Sequence, residues 1–460
     1  MLSEAFVHDV TAIVGADHVR RDEDARRVYG TDALKRGHPA DLVVLPGSTA
    51  QIAAVARLCH EMRVPLVPRG AGTGYTGGAV PLLGGIVLSL ERLNRILTID
   101  EENLLAVVQP AVITGDLQRA VEALGLFYPP DPQSLNESSI GGNVAECAGG
   151  PRAFKYGVTK RYVLALEAVL PTGEVVRTGS KAVKNVVGYD LTQLLVGSEG
   201  TLAIVTEVTL RLMPKPPAVA TLRACFADVP TAARAVSALL RRRVVPVTLE
   251  LVDEDSLDAL AAYVGARLAP EGTGALLLVE VDGTPEAVAS EALEVAAACR
   301  DVGALEVLTA RDEAEREQLW RVRRELSYAL RPIAPRKINN DVVVPRGRVP
   351  ELFALVEGLR GKYRLRIPCF GHAGDGNIHV NIMIDPADGD VLRRAEAAVG
   401  ELFRGVVALE GSISGEHGIG FSKAPYLTLE LSDETIALMK RVKQAFDPHG
   451  ILNPGKIFPV

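Results

Sequence analysis

The residues able to do chemistry crowd into one stretch. Of the chain's eight histidines, His372, His379 and His417 lie within 372–417. Around the first two the sequence runs Phe370-Gly371-His372-Ala373-Gly374-Asp375-Gly376-Asn377-Ile378-His379. An Asp-Gly dipeptide favours a two-residue hairpin turn. That turn would pair Gly374 with Asn377, Ala373 with Ile378 and His372 with His379. Directly opposed side chains sit roughly 5 Å apart at Cβ, close enough for two imidazoles to share an ion. A third ligand is offered by Ser412-Ile413-Ser414-Gly415-Glu416-His417-Gly418-Ile419-Gly420. Two histidines and the Glu416 carboxylate make a catalytic metal set that leaves coordination positions open for substrate.

A different chemistry is written in glycine. The segment Pro68-Arg69-Gly70-Ala71-Gly72-Thr73-Gly74-Tyr75-Thr76-Gly77-Gly78 formally contains the G-x-G-x-x-G dinucleotide fingerprint. Its context is wrong for that motif, because the following Ala79-Val80-Pro81-Leu82-Leu83-Gly84-Gly85 makes a poor helix. Successive backbone N–H groups in glycine-permitted conformations instead form a concave nest for phosphate. Glycine clusters recur at 139–150 and at 197–202. Three close-approach loops in one domain point to a large flat ligand lying against backbone.

These groups need a scaffold. Residues 3–30 read as polar helices, and 50–62 as an amphipathic helix with Ile52, Val55, Ala56 and Cys59 on one face. Short strands are expected at 41–46 and 64–67, forming a β-α-β unit, with others at 86–90, 106–108, 166–170 and 202–210. Pro214-Lys215-Pro216-Pro217 is the clearest interdomain linker. Beyond it, helices are expected at 231–243 and 284–300, strands at 247–252, 275–281 and 341–345, and a final helix at 434–446.

Composition narrows the function class. The chain has 460 residues, 48% hydrophobic and 23% charged, as in globular proteins. Its net charge of −7 argues against nucleic acid as a partner. Five scattered cysteines without a C-x-x-C pair fit a reducing compartment. The uncharged run from Gly70 to Leu90 is too rich in glycine for a membrane span. The expectation is a cytoplasmic protein with neither signal peptide nor transmembrane segment.

The loop 68–78, the run from Asp131-Pro132 to Gly150, Gly188-Tyr189-Asp190-Leu191 and the strand entry 197–207 together resemble the FAD-binding domain of the vanillyl-alcohol oxidase superfamily. The downstream motifs resemble its 2-hydroxy-acid branch of glycolate oxidase flavin subunits, D-lactate dehydrogenases and D-2-hydroxyglutarate dehydrogenases. The resemblance implies an α+β fold with a two-subdomain FAD-binding domain (1–215), a cap domain with an antiparallel sheet (216–410) and a C-terminal segment returning to the flavin domain (411–460). By that likeness Arg69, Gly70, Ala71, Gly72, Thr73, Gly74, Thr76 and Gly77 cradle the pyrophosphate. Asp131, Pro132, Ser139, Gly142 and Asn143 line the diphosphate and flavin. Glu199, Gly200 and Ile204 hold the adenosine side, and Asn453 closes beside the flavin. Thr73 stands where some relatives attach the flavin through a histidine, which implies non-covalent FAD.

The same likeness assigns His372, His379 and Glu416 to a divalent metal, zinc first, with manganese or iron as alternatives. It assigns His417 as the catalytic base. A hydroxy-acid anion needs a cation, and Arg323, on a basic amphipathic helix, matches the family's substrate arginine. Ser327 follows one turn later. At the family's clamping lysine this chain has Asn339, with Lys337 two residues earlier. Asn381 shares a strand face with His379 and could hydrogen-bond the substrate.

The implied activity is metal-assisted oxidation of a D-2-hydroxy acid (D-lactate, glycolate or D-2-hydroxyglutarate type) to the 2-oxo acid, with hydride passing to flavin. Electrons would leave to a quinone, a cytochrome, an electron-transfer flavoprotein or an iron–sulfur subunit. The protein would be a homodimer or part of a larger complex, and a partner could hold it at the inner membrane. Alternatives are a flavin-dependent oxidase of a non-acid alcohol, an electron-relaying flavin subunit of a multi-subunit glycolate oxidase, and a metal hydrolase without flavin.

Overall fold

A computed structural model describes residues 2–459. It divides into two units. The first comprises the described parts of Met1–Gly149 and Glu416–Val460, together with Val158–Lys215. The second comprises Gly150–Gly157 and Pro216–Gly415.

The first unit begins with strands that are apolar on both faces. Leu42–Val44 and Ile86–Ser89 are buried throughout, as strands of a covered parallel sheet must be. Leu42–Val44 and Leu66–Arg69 both run parallel to Ile86–Ser89 and flank it. The β-α-β unit therefore straddles a third strand instead of pairing its own two. The connecting helix, Thr49–Met62, starts where the Ser48 side chain accepts from the Gln51 N–H and ends at Arg63 in a left-handed conformation. Its Ile52, Val55, Ala56 and Cys59 are buried and share a core with Leu42, Val44, Leu66, Ile86 and Leu88. A second sheet is antiparallel, in the order Ile96–Asp100, Leu105–Val108, Ile204–Arg211, Val163–Val169, Val175–Gly179.

The second unit is built on seven antiparallel strands, in the order Glu306–Thr309, Ala218–Phe226, Ala275–Gly283, Thr248–Asp253, Cys369–His372, Asn377–Ile384, Arg336–Val343. One face carries the helices Glu254–Val264 and Glu313–Ala329. Their Leu260, Leu319, Val322 and Leu326 pack with Val252, Leu276, Leu278, Phe370 and Met383. Residues 150–157, expected in the flavin domain, belong to this unit. Lys155 and Tyr156 bond the Asp282 side chain, and a Cβ on Gly374 would meet the Phe154 ring at 2.7 Å.

Among the described residues no helix is long and apolar enough to cross a membrane. All five cysteines are free; Cys147 is half-buried and the others are buried.

Candidate active site

Strand register assembles the chemistry of the second unit. A hairpin does join Cys369–His372 to Asn377–Ile384, but not in the register expected from Asp375-Gly376. His372 pairs with Asn377, and His379 lies opposite Phe370. The connection is four residues long. The Asp375 N–H donates to the His372 carbonyl, and Gly376 has φ +78° with its Cα packed on the Val344 carbonyl. Any side chain at 376 would collide there, so glycine sets the turn. The slip is two residues, and an even slip keeps side chains on the same face. The two imidazoles thus remain neighbours, with centroids 5.5 Å apart, both about 95% buried.

Each histidine faces a carboxylate across the sheet. Glu250 lies directly opposite His372, and its Oε1 hydrogen-bonds His372 Nδ1. Asp341 lies directly opposite His379, with Oδ1 3.9 Å from Nδ1. Asp341 also accepts from Asn377 Nδ2 at 2.6 Å and from the Gly415 N–H at 3.0 Å. Glu250 is fully buried, which raises its pKa, yet the charges of His372 and Arg323 hold it at about 2. These two acids carry no motif. For Glu250 the only signal in the sequence is an acid set between apolar neighbours, Leu249-Glu250-Leu251-Val252, and Asp341, which follows Asn339 and Asn340 in a polar run, has none.

The Glu313–Ala329 helix lays a polar stripe on this face. Arg316 and Trp320 Nε1 bond Glu280, and Arg323 Nε donates to Glu250 Oε2 at 2.5 Å. Ser327 Oγ accepts from Lys337 Nζ at 2.7 Å. Arg323 is buried and lies 4.9 Å from the Phe370 ring centroid. Asn381 departs from expectation. It has no exposed surface, and its amide donates to the carbonyls of Pro368 and His379 while accepting from Asn339 Nδ2 at 2.9 Å. It braces the sheet, and Asn339 is the more exposed of the pair.

In the first unit, a cavity of about 340 Å³ opens beside the glycine loop. Gly70, Ala71, Ile96, Val112, Asp116 and Ser139 line part of it. Ser139 caps the Ile140–Glu146 helix through the Gly142 N–H, and Asn143 Nδ2 donates to Thr114 at 2.7 Å. Several expected cofactor residues turn inward instead. Arg69 donates to the Thr31 carbonyl at 2.7 Å and lies under Gly72, bracing the loop from below. The Ile204 side chain belongs to the core. Glu199 accepts from the N–H groups of Ile419 and Gly420, both at 2.7 Å. Asn453 Nδ2 joins the carbonyls of Gly78 and Glu199. These bonds tie the glycine loop to the segment that carries Glu416 and His417. Thr76 completes the clasp, donating to the His417 carbonyl at 3.0 Å. His417 Nε2 is 3.8 Å from Glu416 Oε1, and its ring meets Tyr75 at 5.3 Å. Tyr75 and Glu146 are further members of this site that the sequence reading did not single out. Burial raises the pKa of both Glu146 and Glu199, and the charge of Glu199 raises Glu146 further.

Burial also lifts Asp32, beneath the loop, to about 6 from 3.8. A folded pKa above the unfolded one favours the protonated acid in the fold. The ionised carboxylate therefore costs stability progressively between about pH 4 and 6, and fully above that. Asp32→Asn is expected to stabilise the protein at pH 7 by on the order of 2 kcal/mol and to change nothing near pH 4. Melting temperatures of both proteins over that range check it; parallel curves would refute it.

Residues 215–457 match the family described as FAD linked oxidases, C-terminal domain, and residues 40–179 match the FAD binding domain family. The chain is 44% identical over 459 residues to the glycolate oxidase subunit GlcD of Bacillus subtilis (strain 168), covering 100% of this chain and 97% of that one. It is 37% identical to a D-lactate dehydrogenase of Anaerostipes hadrus, covering 97% and 94%. A D-2-hydroxyglutarate dehydrogenase of Stutzerimonas stutzeri (strain A1501) is 35% identical with full coverage of both chains. Solved structures of similar fold include p-cresol methylhydroxylase with substrate bound (TM-score 0.84, 20% identity, 99% and 96% covered). Another is 4-ethylphenol oxidase from Gulosibacter chungangensis (TM-score 0.80, 21% identity, 99% and 97% covered). With both family domains in place over nearly its whole length, this chain belongs to the FAD-linked oxidases, flavoprotein oxidoreductases of the vanillyl-alcohol oxidase fold.

Proposed function

We propose that this protein oxidises a D-2-hydroxy acid to the 2-oxo acid, with FAD as electron acceptor and a divalent metal ion as activator. The observation that carries this reading is the single sheet face that sets two buried imidazoles beside one buried guanidinium. A non-acid alcohol would need neither. The donor set fits a metal: His372 engages Glu250 through Nδ1, which directs Nε2 outward as a ligand. His379 is the second ligand, and Glu416 is the proposed third. Gly415, the residue before it, is anchored on Asp341. Nitrogen and carboxylate donors without thiolate suit zinc, manganese or iron. The FAD domain fits its cofactor likewise, with the glycine loop, the cavity and the helix-capping Ser139 side by side.

When bound, FAD supplies a two-electron acceptor and the metal ion supplies Lewis acidity that lowers the pKa of a substrate hydroxyl. The chain's own residues do the rest. Arg323 meets the substrate carboxylate, with Lys337 and Ser327 beside it. His417 takes the hydroxyl proton as general base. Loss of that proton together with the C2 hydrogen as hydride leaves the 2-oxo acid; a bound FAD would take up the hydride, and an external acceptor would take the electrons. The word "subunit" in the name of the Bacillus relative supports a partner protein as that acceptor. FAD is held non-covalently, since residues 70–78 contain neither histidine nor cysteine; acid precipitation should release it into the supernatant.

The test is anaerobic mixing of the yellow holoenzyme with D-lactate, glycolate, D-2-hydroxyglutarate and D-malate, beside an alcohol lacking the carboxylate. At least one hydroxy acid should bleach the flavin and the alcohol should not. Bleaching by the alcohol alone, or by none, overturns the reading.

A further inference from the structure

We infer that Glu250 is a positioning residue that couples the metal-ligating imidazole of His372 to the substrate-binding guanidinium of Arg323. The inference rests on the reading of His372 and Arg323 just given. One carboxylate serves both: Oε1 takes His372 Nδ1, and Oε2 takes Arg323 Nε at 2.5 Å. Glu250 sits on a central strand, opposite His372 in register, and no part of it reaches the surface. Water cannot substitute for either bond.

The arrangement has definite chemical consequences. A carboxylate accepting from Nδ1–H holds the imidazole in the tautomer whose Nε2 lone pair can bind a cation, and it raises the basicity of that nitrogen. The second oxygen fixes one edge of the guanidinium, so the plane in which Arg323 can meet a substrate carboxylate is set by the same residue. Its negative charge also offsets the buried Arg323 cation, which would otherwise repel a metal ion bound at His372. Glutamine could not replace it, having one acceptor oxygen where two donors converge. Metal affinity and hydroxy-acid affinity should therefore fall together when Glu250 loses its charge.

The experiment uses the FAD holoenzyme, stripped of metal by a chelator and titrated with zinc ions against a chromogenic chelator. E250Q is expected to weaken zinc binding about 10- to 100-fold and to raise KM for the hydroxy acid. Because E250Q leaves Arg323 buried without its counter-charge, the double variant E250L/R323M is measured beside it; it removes the pair together, leaves His372 Nδ1 without an acceptor at 250 and should show a comparable zinc loss. R323M alone should raise KM while leaving zinc affinity within about threefold, since Glu250 still holds His372. Wild-type zinc affinity in E250L/R323M would overturn the inference. H372N separates this from the underlying assignment. If H372N loses zinc while E250L/R323M retains it, only the role of Glu250 fails. If H372N binds zinc as the wild type does, His372 is no ligand and both assignments fail.

Discussion

His417→Ala is expected to lower the rate of flavin reduction by about 10²- to 10⁴-fold, the range over which a positioned general base acts, while the protein keeps its fold and its flavin. The two halves of that expectation rest on different atoms. Residue 417 is held in place through its backbone: Thr76 Oγ1 donates to the His417 carbonyl, and Glu199 binds the next N–H groups at Ile419 and Gly420. None of these bonds uses the imidazole. Alanine therefore removes the proposed base and its contact with Tyr75 without releasing the segment from the glycine loop. Stopped-flow reduction under anaerobic conditions measures the loss, and the flavin spectrum reports occupancy. Full turnover in a flavin-loaded variant would eliminate His417 as the base.

His372→Ala and His379→Ala should each abolish stable metal binding, and with it about 10³-fold or more of turnover, equivalent to several kcal/mol of charge stabilisation. The double variant should be no worse than either single one, because residues that act as one unit are not additive. Elemental analysis of the purified holoenzymes gives the metal content. The flavin should remain in all three, since the residues proposed to hold it belong to the other unit. The two variants should differ in stability. His372 leaves Glu250 with Arg323 as partner, whereas His379 stands 3.9 Å from an Asp341 already satisfied by Asn377 and Gly415. Losing His379 should therefore disturb the fold less than losing His372. A metal content unchanged in either variant would remove that residue from the ligand set.

The elements that were legible beforehand are those governed by short-range rules. The Thr49–Met62 helix followed from its apolar spacing, and the structure adds Ser48 as its cap. The His372/His379 hairpin followed from a turn dipeptide between strand-like residues. Its register did not, because the turn that formed depends on Gly376 packing against Val344, a contact outside any local window. The partner of the Arg69 side chain was not legible either, for a related reason. The resemblance places Arg69 in the pyrophosphate cradle, and its side chain donates to the Thr31 carbonyl behind the loop, 38 positions away in sequence.

Residue types and local spacing were therefore enough to nominate two chemistries, a glycine cradle and a histidine pair, because conformational freedom and ligand identity belong to individual residues. Partnership was not readable in the same way. Glu250 reaches His372 across 122 positions of sequence, and Glu199 reaches Gly420 across 221. Such pairs exist only once strands have chosen their neighbours, a choice made by burying whole faces of a sheet. That collective packing turns an isolated acidic residue into the group that orients a histidine and an arginine together.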